Sequence, residues 1–235
     1  MKLIVDQKIF ERFPGVMIGV IVAKGAQNTR DVSAIHEVMR SEESRIRSHY
    51  VKETLSQVPK INAWRKAYSS FGVKSSDAKA SIENLYRMVL SGREIRAINP
   101  LVDIYNFISI KYMVPVGGED LDKVVGDIEL TLAGPNEPSV QLLGDHAVES
   151  PPEGEVLYKD DISALCRRWN WREAERTMLT EHTKNAILVL EGIPPITREE
   201  IGAAIAELKE LAEEHCKATT RTAILAENNT QFIIN

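Results

Sequence analysis

The run Ile98-Asn99-Pro100-Leu101-Val102-Asp103-Ile104-Tyr105-Asn106-Phe107-Ile108-Ser109-Ile110-Lys111-Tyr112-Met113 decides the fold. From position 101 to about 113 it is apolar on nearly every helical face, so the helix it predicts is buried on most sides rather than along one stripe. Such a helix needs other layers around it. C-terminal to it the chain turns β-rich: Asp127-Ile128-Glu129-Leu130-Thr131-Leu132 alternates in period two, and 140–143 and 155–158 read as further strands between glycines and prolines. Residues 162–171 suit another strand, and Asn185-Ala186-Ile187-Leu188-Val189-Leu190-Glu191 a buried one stopped by Gly192.

Working outward, 15–23 reads as a β-branched buried strand between Pro14 and Gly25. A helix follows, capped by Thr29, with Val32, Ile35, Val38 and Met39 inward and Arg40, Glu42, Glu43, Arg45 and Arg47 in water. Trp64, Tyr68 and Phe71 share one face of a helix stopped by Gly72. Ser76 opens the next, whose Ile82, Leu85, Met88 and Val89 face inward, with Glu83 and Arg87 paired on the outer side and Gly92 at its end. After Pro194-Pro195, Thr197 and Glu200 form a capping box for an amphipathic helix, and 220–225 returns as a strand. Clustered strands with helices at both ends predict an α+β fold, a single compact unit over 1–235 with mixed β-sheets flanked by helices.

The net charge of −5 and pI near 5.7 argue against a protein that coats nucleic acid through bulk charge, so any RNA contact rests on a local patch. No apolar run approaches the roughly 20 residues that span a bilayer, and the first residues lack a leader's pattern, which predicts a cytoplasmic protein without a membrane partner. Cys166 and Cys216 have no CxxC spacing and read as buried thiols. The histidines at 36, 49, 146, 182 and 215 form no ligand spacing, and His182 reads as exposed; no metal or cofactor is expected. P-loop, dinucleotide, HExxH and GxSxG patterns are all missing.

Three places could carry chemistry. Asp103 and Asn106, at i and i+3 on the buried helix, need polar partners: either they tie the helix to the turn at 114–118, or Asn106 orients a ligand. In the predicted loop 115–120, Gly117 and Gly118 would let backbone N–H groups approach a carboxylate or phosphate, although a glycine pair also serves simply as a turn. Arg167-Arg168-Trp169-Asn170-Trp171-Arg172 is the densest cluster. As an extended segment it places Arg167, Trp169 and Trp171 on one face and Arg168, Asn170 and Arg172 on the other, an anion-binding set; the alternative is a structural ladder with Arg168 or Arg172 paired to Asp160 or Asp161. Thr177 and Thr183 add hydroxyls nearby, and interleaved aromatic and basic groups suit RNA.

Residues 98–107, then Pro115 and Asp120-Leu121-Asp122-Lys123, resemble the signature of the editing domain (B3/B4 domain) of the phenylalanyl-tRNA synthetase beta chain. Thr183-Lys184-Asn185-Ala186-Ile187-Leu188 is similar to that family's entry into a strand, and Trp169-Asn170-Trp171-Arg172-Glu173 looks like the mark of a stand-alone branch. The resemblance runs from Trp64 to Glu191, leaving a strand–helix extension over 1–60 and a helix–strand extension over 197–235. It implies an α+β domain whose pocket hydrolyses tyrosine wrongly attached to the phenylalanine tRNA, and a chain that does not charge tRNA by itself. The family's histidine two residues after the proline is Gly117 here; its strand glutamate falls on Val189, with Glu191 two residues further on; and the glycine pair before its threonine is replaced by the region around Arg172-Glu173-Ala174. A pocket rebuilt around Arg168, Arg172, Thr177 and Glu191 is the expectation.

On that basis the chain is expected to act in trans on misacylated tRNA. Asn106 would hold the amino acid, with Gly117, Gly118, Trp169, Trp171, Thr177 and Thr183 around it. Arg168 and Arg172 would hold the terminal adenosine or its phosphate, and Glu191 or Asp120 would assist the water. The alternative is a non-catalytic module that binds tRNA, aminoacyl-tRNA or a free amino acid.

Overall fold

The computed structural model describes residues 1–144 and 147–234, and its fold is α+β. His146 lies outside the described residues. One sheet is antiparallel and central: β2 (Met17–Lys24) and β10 (Ala186–Gly192) are flanked by β11 (Thr219–Leu225) and β3 (Val116–Asp120) in the order β11-β2-β10-β3. The other is mixed, in the order β12-β1-β4-β7-β8-β9, from β1 (Lys2–Val5), β4 (Ile128–Leu132), β7 (Val156–Lys159), β8 (Ala164–Arg167), β9 (Arg172–Glu173) and β12 (Gln231–Ile233), with β1 and β4 parallel. The short pair β5 (Val140–Gln141) and β6 (Val148–Glu149) stands apart.

The helices are α1 (Gln7–Arg12), α2 (Ser33–His49), α3 (Pro59–Ser70), α4 (Ser81–Leu90), α5 (Pro100–Tyr112) and α6 (Arg198–Cys216). As its pattern predicts, α5 is buried on most faces; Asn99 caps it by accepting from the Val102 N–H. Thr197 and Glu200 make the predicted capping box of α6. That helix lies against the central sheet, where Gly19 and Gly192 leave room for Ile205 and Ile201. No helix among the described residues is long and apolar enough to cross a membrane.

Several local expectations fail for identifiable reasons. Thr29 does not cap α2, which begins at Ser33 with the Asp31 carboxylate accepting from the Ser33 N–H. Val38 is exposed, and Glu43, expected in water, is fully buried between Arg40 and the Ile95 N–H. Ser76 opens no helix; α4 starts five residues later. Glu83 does meet Arg87, but from a buried position where it also receives Arg65. Asp103 holds α5 to the preceding turn, accepting from the Ile98 N–H at 2.8 Å, and lies 2.8 Å from His36 Nε2, instead of reaching the turn after the helix.

The glycine pair is not in a loop. Gly117 and Gly118 are extended residues of β3, opposite Val189 and Leu188. Low β propensity hid this strand, and close packing explains it. A Cβ on Gly118 would press into Leu188 and stand 2.9 Å from the Ile187 carbonyl oxygen, whereas on Gly117 it would meet only Glu173 Oε1, at 3.0 Å. Gly118→Ala is therefore expected to destabilise the protein by about 1–3 kcal/mol, and Gly117→Ala by much less, in thermal unfolding.

Candidate active site

A cavity of about 650 Å³ opens between β3 and β10 on one side and β1, β4, β7, β8 and β9 on the other, with α4 and α5 closing the remaining walls. Strand periodicity explains what β10 contributes: Ile187, Val189 and Glu191 alternate onto one face and all line it. Tyr105 and Asn106 come from α5, Tyr158 from β7, Cys166 from β8 and Glu173 from β9. Lys52 and Arg93, both exposed, mark the mouth.

Glu191 is the most completely buried carboxylate in it, 2% exposed. Asn170 Nδ2 donates to its Oε2 at 2.5 Å, and Tyr68 holds Asn170 in turn by donating to Oδ1 at 2.9 Å. Its Oε1 has no hydrogen-bond partner among the described residues, and neither do two buried donors, Tyr158 Oη and Trp169 Nε1. Both donors stand close enough to influence its ionisation without reaching hydrogen-bond geometry. Burial pushes the Glu191 carboxyl up from 4.5 to about 8, against the opposing pull of Asn170, Tyr158 and Trp169. Buried polar atoms are nearly always satisfied in folded proteins, and these three adjoin one another, a loosely closed polar cluster on the cavity wall that small shifts would pair internally or open to a ligand.

Two further acids share the space. Glu173 accepts from the Gly118 N–H at 3.2 Å; its open surface faces the cavity, and burial raises its carboxyl to about 7. Glu119 is buried, and burial followed by the neighbouring Glu173 charge holds its carboxyl well above the usual range. Burial likewise raises the Cys166 thiol and the Tyr105 and Tyr158 phenols far above their ordinary values, keeping them neutral.

The arginine–tryptophan cluster is a turn, not a strand. Arg168 and Trp169 take positive φ, so β8 ends at Arg167 and β9 starts at Arg172, with those two paired. The reversal breaks the expected two-face alternation. Trp169 is fully buried against Phe13 and Trp64, with ring centroids at 4.7 and 5.0 Å. Arg167 is buried and grips Glu155 at 2.6 and 2.9 Å. Arg168 also turns to Glu155, which accepts from its backbone N–H at 3.0 Å, while Arg176 takes Asp160 at 2.7 Å; the expected partners Asp160 and Asp161 are thus not those of Arg168. Trp171 stacks between the guanidinium groups of Arg168 and Arg172, at 4.2 and 4.6 Å.

The cavity brings together Asn106, Gly117, Gly118, Trp169, Trp171, Arg172 and Glu191. The Asn106 side chain makes no hydrogen bond to another described residue. Asp120 stands elsewhere. It accepts from the Thr183 hydroxyl at 2.7 Å and pairs with Ala186, roughly 17 Å of strand from Glu191. Asp120 and Thr183 therefore close a structural turn, and Thr177 is buried beside Glu119 without lining the cavity. His182 is exposed and both cysteines are buried, as expected. Tyr158, Glu119 and Glu173 were not singled out by the sequence, whereas Asn170 was, as part of the expected anion-binding set; in the structure it holds Glu191 instead. Of the others, only Glu173 carried a signal, as part of the stretch that replaces the family's glycine pair. Among the described residues no cluster suits a metal ion.

Residues 63–223, more than half the chain, match the B3/4 domain. The chain is similar to the phenylalanine-tRNA ligase beta subunit of Shewanella oneidensis, 34% identical over 88 residues that make up 37% of this chain and 11% of that protein. It is also similar to the same subunit of Psychrobacter arcticus, 32% identical over 101 residues, 43% of this chain and 12% of that one. These matches thus span only about an eighth or less of either relative. Among solved structures it is similar to an N-terminal fragment of the phenylalanyl-tRNA synthetase beta subunit of Pyrococcus horikoshii, at 14% identity and a TM-score of 0.48, over 93% of this chain and 50% of that one.

Proposed function

The chain belongs to the B3/4 domain family, and from that premise we propose that its cavity admits the aminoacyl end of a tRNA and hydrolyses the ester. The observation that carries this reading is the meeting, inside one cavity, of the unpartnered Glu191 Oε1 with two unpartnered donors, Tyr158 Oη and Trp169 Nε1. Donors without partners in a dry pocket suit a carbonyl oxygen that gains negative charge. Glu191, once ionised, takes a proton from the attacking water as its oxygen bonds to the carbonyl carbon; the same proton then passes to the ribose oxygen as the ester C–O bond breaks. Asn106 orients the amino acid. Lys52, Arg93 and Arg172 at the mouth suit the phosphates behind the terminal adenosine. Such a protein works in the cytoplasm, where charged tRNA is found.

A second reading has its own support. With a carboxyl near 8, Glu191 is mostly neutral at pH 7, which suits a module that holds the aminoacyl group without turning it over. Deacylation of a panel of correctly and wrongly charged tRNAs separates the two. Turnover by the wild type, reduced about 10-fold in Asn106→Ala through one lost hydrogen bond and in Arg172→Ala through weaker binding, supports hydrolysis. Retained tRNA binding with no turnover on any substrate would leave the binding module.

A further inference from the structure

The cavity holds more carboxyl groups than hydrolysis requires. Glu119 and Glu173 lie on the wall away from Glu191, and Glu119 Oε2 is a buried acceptor with no hydrogen-bond partner among the described residues. Strand register orders the three acids. Glu119 stands opposite Ile187, four residues back along β10 from Glu191, or roughly 13 Å at the rise of an extended chain. Glu173 sits between them, its Oε1 on the Gly118 N–H opposite Leu188 and within reach of Gly117 opposite Val189.

The cations nearby neutralise the inner wall only in part: of them, Arg176 alone pulls the Glu119 carboxyl down, against the larger effect of burial. Arg176 faces Glu119 but is bound to Asp160 at 2.7 Å and to the Lys123 carbonyl at 2.9 Å. Arg87 is held by Glu83, and Arg172 lies over Trp171. The remaining groups around the pair are neutral: Tyr105 from α5, Cys166 from β8 and the Thr177 hydroxyl. Two carboxyls side by side in an apolar cavity are best satisfied by a cation from outside the chain.

We infer that this acidic wall selects the amino acid, and that the acyl group taken up is that of a basic amino acid with an extended side-chain ammonium, of the lysine or ornithine class. The inference rests on the reading of the cavity as an aminoacyl site. The length of such a side chain suits the spacing of the acids. Six single bonds of about 1.5 Å carry a staggered lysyl chain about 7 Å from carbonyl carbon to side-chain nitrogen. With a water bridging the carbonyl carbon to Glu191 and an ion-pair contact of about 3 Å at the other end, such a chain is of the same scale as the roughly 13 Å of strand that separates the Glu191 and Glu119 positions.

Calorimetric titration of the full chain with L-lysine methyl ester and L-norleucine methyl ester, which differ by the terminal charge, tests this. Lysine ester is expected to bind about 10-fold or more tightly, and the preference to collapse in Glu119→Gln while Glu119→Asp keeps part of it. Equal binding of the two esters by the wild type would overturn the inference, whether or not any variant folds. The two readings fail separately. Lysine-ester preference without tRNA turnover sinks the hydrolase alone, whereas hydrolysis of tRNAs carrying neutral amino acids with lysyl-tRNA spared sinks the basic-side-chain inference alone.

Discussion

Glu191→Gln is expected to lower deacylation by about 10²–10⁴-fold with little change in apparent substrate binding, the signature of a lost proton acceptor. The pH profile supplies the second half of the prediction. Burial raises this carboxyl from 4.5 to about 8, so the base form grows in as pH rises, and the wild-type rate should climb through about pH 8 and level off above it. Stability moves the other way. Because the folded-state value is the raised one, the neutral carboxyl's contribution is fully present below about 4.5 and is lost as pH rises from there through about 8. At roughly 1.4 kcal/mol per unit this amounts to a few kcal/mol. Glu191→Gln removes that dependence, so melting curves at pH 5 and pH 9 should show the variant gaining on the wild type at the higher pH. A rate unaffected by the substitution would remove Glu191 from the chemistry.

Glu155→Ala is expected to be the most damaging substitution to the fold, costing about 3–5 kcal/mol in denaturant unfolding. It strands the Arg167 guanidinium, 2% exposed, without its bidentate partner. The same carboxylate accepts from the Arg168 N–H and so fixes the turn that carries Asn170 to Glu191. Residual folded Glu155→Ala should therefore also lose activity. The paired replacement Glu155→Leu with Arg167→Met, which removes both charges and keeps the volume, should recover most of the stability. If the single and paired variants unfold alike, the ion pair is not what holds this turn.

What could be read from the sequence followed periodicity. The all-round apolar α5, the alternating β4, the apolar β10 and the capped α6 each extend over enough residues, or carry a distinct enough cap, for local pattern to specify them. Elements without such a pattern were not legible, whereas the four-residue β7 and the glycine-bearing but β-branched β2 were. β1 and β12 have four and three residues, and β3 reads as a turn until the packing of Gly118 against Leu188 is seen. The same division runs through the cavity. Asn106 and Glu191 stand out as polar residues within apolar runs, whereas Tyr158, Asn170 and Glu173 reach the cavity through strand pairing and a turn at Arg168 and Trp169. Positive φ at those two positions is something their side chains do not announce. Asp120 misled because it belongs to a recognisable motif, while its carboxylate is committed to Thr183.

The most direct test of the cavity as an aminoacyl-end site is calorimetric binding of a non-hydrolysable 3′-amide analogue of aminoacylated adenosine monophosphate to the full chain. Adenosine monophosphate and the free amino acid serve as the comparison ligands. The joined analogue should bind more tightly than either part, because inner acids and mouth cations are engaged at once. Binding of adenosine monophosphate as tight as that of the joined analogue, or no binding of the analogue at all, would contradict it.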